Sequence, residues 1–194
     1  LIPTENIKVY IDFFNLIKTD LKIKKINLVL REIDITELNK LSKLIKPSNF
    51  KNFLNNKISE GKLISEIEIF FNDSSEIDSY IIKGKVRSLK ANILSNVNLR
   101  NTNFSFFADR EDILIKNIYG TMDGMKISDG DMRLNFEKGI KLVSNFNSDI
   151  DLDEKGFLKY NKLLSKYNLK DRIKLLTGNF SNNLSMNFDD TYKL

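Results

Sequence analysis

The chain has 194 residues, 41% hydrophobic and 29% charged, which bounds it to one globular domain or one slice of a larger protein. Its 31 Lys and Arg exceed its 26 acids for a net charge of +5, but the excess is dispersed, with no basic block and no basic helix face interleaved with aromatics, so a nucleic-acid footprint is missing. Zero Cys removes disulfides, thiolate catalysis and Cys-ligated metals, and zero His removes the commonest metal ligand and general base.

Residues 6 to 10, "NIKVY", alternate with Ile7 and Val9 on one face and predict a strand. "DFFNLIKTD" (12–20) reads as a helical turn or connection, and "LKIKKINLVL" (21–30) as strand again. Thr36 is placed to cap a helix carrying Leu38, Leu41, Leu44 and Ile45, which Pro47 ends. Ser48 is placed to cap a second helix with Phe50, Phe53, Leu54 and Ile58 at helical spacing, stopped at Gly61. Both stripes read as packing faces.

From Leu63 to about Leu152 the texture changes to long alternating runs. "DSSE" (73–76), "DRED" (109–112), "DG" (123–124) and "EKG" (137–139) punctuate them, which predicts an antiparallel meander. Asp123-Gly124 is the strongest hairpin signal and predicts a two-residue turn, both residues at positive φ, pairing 113–122 with 125–134. A third helix is expected over 155–167, with Phe157, Leu158, Leu163, Leu164 and Tyr167, and the tail from Ile173 returns to strand. The chain is read as one segment, 1–194. Strands plus two helices occupy 1–62, the β-meander 63–152, and a helix plus terminal strands 153–194.

One irregularity recurs. "MKISDGDMRL" (125–134) has apolar pairs Met125/Ile127 and Met132/Leu134 separated by a four-residue polar spacer, an odd step of five from Ile127 to Met132, so the alternation slips by one. "ILIKNIYGTM" (113–122), "VNLRNTNFSF" (97–106) and "LKIKKINLVL" (21–30) share the slip, with Lys25, Asn101, Asn117 or Asp129 at the fifth position and Gly120 at one eighth position. A β-bulge would restore the apolar face and bend the strand. Bulges aligned across neighbours near Asn101, Asn117 and Asp129 would crease the whole sheet. Leu99, Phe104, Phe106, Ile113, Ile115, Ile118, Met122, Met125, Ile127, Met132, Leu134 and Phe136 are then expected on one face. The expected fold is mainly β with a few helices (α+β). It is a long antiparallel meander sheet bent into an apolar trough, with amphipathic helices packed on or beside it. Alternation alone would equally describe a sandwich or a helix-covered sheet with a dry core.

Catalytic patterns are missing. Asp149, Asp151 and Asp153 alternate in "SDIDLDEKGFLKY" (148–160), but a calcium loop needs Gly where Glu154 stands and Glu where Tyr160 stands. Asp129 and Asp131 read as turn or bulge residues. "GKVRSLK" (84–90) lacks the second Gly and the Lys-Ser/Thr end of a phosphate loop. The chain reads as a non-enzyme with no catalytic residue, no metal and no cofactor.

The run "YIIKGKVRSLKANIL" (80–94), the Asn-rich "VNLRNTNFSFFA" (97–108) and "IKNIYGTMDGMKISDGDMRLNFEKGIKLVSNFNSDIDL" (115–152) resemble the AsmA-like superfamily, in particular its long YhdP-type members, with TamB more distant. The rhythm of Gly120, Gly124 and Ile127 and the upstream "LKIKKINLVLREIDITELNKL" fit the same pattern, so the resemblance covers the chain from about residue 21. It implies a bridge-like lipid carrier of Gram-negative bacteria, resident in the periplasm and anchored in the inner membrane by a segment outside this chain. Its apolar trough would pass phospholipid towards the outer membrane, with the twelve residues above lining it. The implied partners are phospholipid acyl chains and, through regions outside this excerpt, the two membranes; nucleic acid is not among them. No run in this chain approaches the ~18 apolar residues of a membrane span, and no signal-peptide pattern is present. The chain opens at Leu1 in strand-like sequence, so it reads as an excerpt of a longer protein. The helices at 36–60 and 155–167 depart from a pure trough and suggest a helix-covered end. The alternatives are a non-conducting structural or interaction segment of the same envelope protein and an unrelated β-rich ligand-binding domain.

Overall fold

The computed structural model describes residues 4–12, 22–37, 57–94, 97–136, 139–158 and 174–188. Among these residues ten strands form one antiparallel sheet: β1 (Thr4–Ile11), β2 (Ile23–Leu30), β3 (Ile33–Asp34), β4 (Ile58–Phe71), β5 (Ile77–Leu94), β6 (Val97–Ala108), β7 (Asp112–Met122), β8 (Met125–Asn135), β9 (Ile140–Asp153) and β10 (Leu175–Phe188). Their order in space follows the chain, β1-β2-β4-β5-β6-β7-β8-β9-β10, with β3 beside β4. This is the expected meander, open along β1 and β10 among the described residues.

Local side chains set the turns. Asn72 Oδ1 accepts from the Ser74 and Glu76 amides (3.0 and 2.9 Å), closing 72–76. Asp109 Oδ1 accepts from the Glu111 and Asp112 amides, both at 2.9 Å. Asp123 and Gly124 take φ of 47° and 96°, and Met122 faces Met125 across the two-residue turn, as the sequence predicts.

Four strand-interior residues are left-handed: Ser88 in β5 (φ 51°), Asn101 in β6 (49°), Asn117 in β7 (56°) and Asp129 in β8 (50°). Each sits where one strand spends two residues against one of its neighbour. Val86 and Leu89 face Phe104 and Thr102, and Arg100 and Asn103 face Thr121 and Tyr119. Ile115 and Ile118 face Met132 and Gly130, and Ser128 and Asp131 face Asn147 and Asn145. These are β-bulges, grouped across four neighbouring strands; those at Asn101, Asn117 and Asp129 lie where the slip predicts, and the one at Ser88 is not anticipated by it. Short polar side chains tolerate this conformation because they hydrogen-bond locally. Asn103 Oδ1 accepts from the Ser88 amide at 3.0 Å, and Asn103 Nδ2 donates to Asn101 O at 2.9 Å. The Tyr119 hydroxyl reaches Asp129 Oδ1 at 3.2 Å.

Glycines sit beside the bulges for lack of room. A Cβ on Gly120 would stand 2.4 Å from Thr102 Oγ1, and one on Gly130 would stand 2.7 Å from Ile118 Cβ. Gly120 at an apolar position of the repeat is therefore the seat of Thr102, which is only 2% exposed.

Several expectations need correction. Ile58 and Gly61 belong to β4, not to a helix and its stop. Gly61 instead makes room for Ile35, whose Cδ1 would lie 2.8 Å from a Cβ there. Thr36 lies inside a helical turn over 35–37 rather than capping it. The remaining residues of the first two expected helices, and the connection at 13–20, lie outside the described residues. Of the third helix, α1 (Glu154–Leu158) is described, with Asp153 Oδ1 capping the Gly156 amide at 2.8 Å. The slip at Lys25, by contrast, is met on the β1 side of β2: the pairing steps from Tyr10 and Lys25 to Ile11 and Ile23, which spends one extra residue of β2 and keeps Ile23 and Ile26 on one face. Lys25 itself is not left-handed, and β2 pairs with β4 without a shift from Lys25 to Val29. Ser88 carries a further bulge that the expectation did not include.

Burial is uneven along the strands. Leu30, Ile33, Ile35, Leu63, Val86, Leu89 and Ala91 form one core cluster, and Met125, Ile150 and Leu152 a second. Both gather towards the end of the sheet that carries the Met122–Met125 turn. The opposite end, with the connections at 72–76 and 109–111, has no such cluster among the described residues.

Candidate functional site

Residues directly opposite in an antiparallel pair point to the same face, so the register defines each face. Ile7, Leu28, Ile67, Ile82, Ala108, Ile113, Leu134, Leu142 and Met186 are successive partners across β1, β2 and β4 to β10. Every member is apolar. At about 4.8 Å per strand, eight steps make a row roughly 38 Å long, perpendicular to the strands. The neighbouring row on the other face reads Asn6, Val29, Glu66, Lys83, Phe107, Leu114, Arg133, Val143 and Ser185, with charges in its middle. From Tyr80 of β5 to Met186 of β10, no described position on the apolar face carries Asp, Glu, Lys or Arg.

The bulges preserve this face. Without the extra residue at Asn117, Ile113 and Ile115 would oppose Ile118 and Met122 across the sheet. With it, all four share one side. The register places every predicted lining residue from Leu99 to Leu134 on this face. Phe136 lies past the end of β8, where its amide donates to Glu111 O, and it is 37% exposed. The set divides by accessibility. Met125 is 7% exposed and belongs to the second core cluster, with Met122 packed against it. Leu99, Phe104 and Phe106 pack against the first cluster. Ile113, Ile115, Met132 and Leu134, towards the opposite end, stay half-buried. Sequence reasoning missed Ile82, Leu142 and Met186; the alternation that finds Ile113 also runs through their strands.

The other face is ionic. Lys83 pairs with Glu66 (3.0 Å), Lys25 with Glu68 (2.9 Å), Lys90 with Glu60 (2.8 Å), and Arg133 with Asp112. The Asn27 amide and then Lys83 hold the Glu66 carboxyl below its ordinary value. Arg133 and then Asn135 do the same for Asp112. Exposed pairs of this kind add little stability; they mark the face that water wets. The acidic run Asp149, Asp151 and Asp153 alternates onto this same exposed side, between buried Ile150 and Leu152.

Polar groups on the apolar face are small or paired with each other. Asn182 Nδ2 donates to Ser148 Oγ at 2.8 Å and to Phe146 O at 3.2 Å, and Ser144 Oγ donates to Asp131 O at 3.0 Å. A concavity of about 640 Å³ near the sheet's β10 side mixes Ile127 and Phe180 with Lys126, Asn147 and Asp149. Its mixed chemistry suits an acyl chain less well than the uncharged row does. Comparison with protein-family models, with curated proteins and with solved structures gave no match.

Proposed function

We propose that this chain is a non-catalytic, AsmA-like segment whose apolar face carries phospholipid acyl chains, the bulged sheet forming a shallow trough. The observation that carries the reading is the uncharged row from Ile7 to Met186, half-open towards the end away from the Met122–Met125 turn. Each acyl CH₂ kept from water is worth about 0.8 kcal/mol. An acyl chain spans roughly half of the ~30 Å hydrocarbon core of a bilayer, about 15 Å. The row therefore accommodates about two chain lengths end to end. With no charge on that row to hold a head group and no deep pocket among the described residues, a lipid can slide from strand to strand while its head group stays in water. Met132 and Met186 add adaptable contact. In this reading the segment lies in the periplasm of a protein anchored elsewhere in the inner membrane, delivering phospholipid towards the outer membrane.

The two core clusters favour a second role for the other end. There the same face is closed, as in a sealed structural segment, and helical connections such as α1 begin beside it.

The test uses vesicles of phosphatidylethanolamine and phosphatidylglycerol containing a fluorescent phospholipid. The chain should extract the probe, and Leu134→Asp should cut extraction at least fivefold while the protein still melts cooperatively. A folded Leu134→Asp variant that extracts lipid as well as the parent would contradict the proposal.

A further inference from the structure

The ionic face changes character along the sheet. Across β4 and β5 it spends its polar groups on ion pairs, Glu66 with Lys83 and Glu60 with Lys90. Across β8, β9 and β10 it carries amides and hydroxyls instead. Ser128, Asn147 and Ser181 are successive partners there, and Asp131, Asn145 and Asn183 form the next row. On the other side the row is Lys126, Asp149 and Asn179, where the two charges face each other. No apolar side chain interrupts the three rows, and all of them but Ser128 are exposed. Two concavities, of about 240 and 640 Å³, meet at Asn147 and Ser181, and between them they are lined by all of these residues but Asp131. Asp129, the left-handed residue of the β8 bulge, lines the smaller one.

We propose that this patch binds a neutral oligosaccharide. Hydroxyl groups both donate and accept, so a sugar is met best by fixed donors and acceptors side by side. Ser181 Oγ donates to Asn147 Oδ1 at 2.8 Å, and Asn183 Nδ2 donates to Asn145 Oδ1 at 2.7 Å. These bonds orient the amides. They leave Asn145 Nδ2 and Asn147 Nδ2 as donors, and Asn183 Oδ1 as an acceptor, with no protein partner among the described residues. Amides already held in place lose little side-chain freedom when a ligand docks. Neutral groups also give up water at a smaller cost than the ions of β4 and β5 would.

An aromatic ring stands beside these groups. Tyr119 is 45% exposed, and its hydroxyl reaches Asp129 Oδ1 at 3.2 Å, at the margin of the smaller concavity. The face of an aromatic ring is negative and takes the weakly positive C–H face of a sugar ring. Charge disfavours other polar ligands. Asp129, Asp131 and Asp149 outnumber Lys126, which repels a phosphate or a nucleic acid. Among the described residues no three acidic groups are gathered to hold a metal ion. The patch lies on the side of the sheet opposite the apolar row, so this inference does not depend on what that row binds.

Titration calorimetry of the 194-residue chain with maltohexaose, cellohexaose and chitohexaose tests it. At least one of the three should bind with a sub-millimolar dissociation constant. The double variant Asn145→Ala with Asn147→Ala should weaken that binding at least tenfold and leave the melting temperature unchanged, because both side chains are exposed. Tyr119→Ala should weaken it at least fivefold, and Tyr119→Phe, which keeps the ring, less than twofold. Leu134→Asp, on the apolar face, should leave it unchanged, which separates this site from the lipid reading. A chain that binds none of the three sugars at millimolar concentration would overturn the proposal. So would binding that survives the loss of both amides, or binding that a folded Leu134→Asp variant abolishes.

Discussion

The apolar face has two ends that share a composition and differ in fate. Towards the Met122–Met125 turn, Leu89, Ala91, Met125, Ile150 and Leu152 are all below 10% exposed. Towards the other end, Ile113, Met132, Leu134 and Leu142 alternate just as regularly and remain half-open. Alternation therefore tells which side of a strand is apolar, not whether that side is dry. The closed end is stabilised by what packs on it, as Ile35 does over Gly61. The open end leaves its apolar side chains partly accessible.

Charge insertion separates the two ends most strongly. Leu89→Asp and Ile150→Asp should each cost on the order of 3–5 kcal/mol, because an unpaired carboxylate is buried. Leu134→Asp should cost only about 1.5 kcal/mol, since its carboxylate can reach water. Chemical denaturation of the three variants measures this, and equal losses would erase the distinction. The bulged strands between the ends come next. Gly120→Ala forces a Cβ against Thr102 and should cost about 1–3 kcal/mol by overpacking. Gly124→Ala, with nothing within 4 Å, should cost about 1 kcal/mol from its positive φ alone. Asn117→Val should lose about 1–2 kcal/mol through left-handed strain, and Asn117→Gly should lose none. A harmless Asn117→Val would mean that the bulge is not needed to hold Ile115 and Ile118 on one face.

The smallest effect is electrostatic and sits on the opposite face. The Asp112 carboxyl is held below its ordinary value by Arg133 and Asn135. Its contribution is complete above the unfolded pKa and fades as pH falls through the lower, folded value. Stability should therefore drop more steeply on acidification below about pH 4 in the parent than in Asp112→Asn, given an ordinary aspartate pKa near 3.9. Parallel melting curves at pH 7 and pH 3 check the sign.

Much of the sheet is legible in the sequence because its signals are local. A two-residue Asp-Gly turn and an odd apolar step of three or five residues around Asn101, Asn117 and Asp129 need only short-range sterics. Ser88 escapes notice because Val86-Arg-Ser-Leu89 lacks the Asn or Asp that advertises a left-handed residue, although its spacing is the same. At Lys25 the spacing suffices without such a side chain, because β2 spends its extra residue there against β1 with no left-handed backbone. Gly61 reads as a helix stop until Ile35, distant in sequence, is seen seated over it. Accessibility is the least legible property, since Met125 and Met132 carry the same side chain and differ only in what lies above them.

Scanning a photoreactive residue along β8, with the protein exposed to phospholipid vesicles, addresses the central claim most directly. Met132 and Leu134 should label lipid, while Arg133 on the other face and Met125 in the closed end should label several-fold less. Equal labelling at Met132 and Arg133, or no labelling at Met132 and Leu134, would contradict a lipid-carrying face.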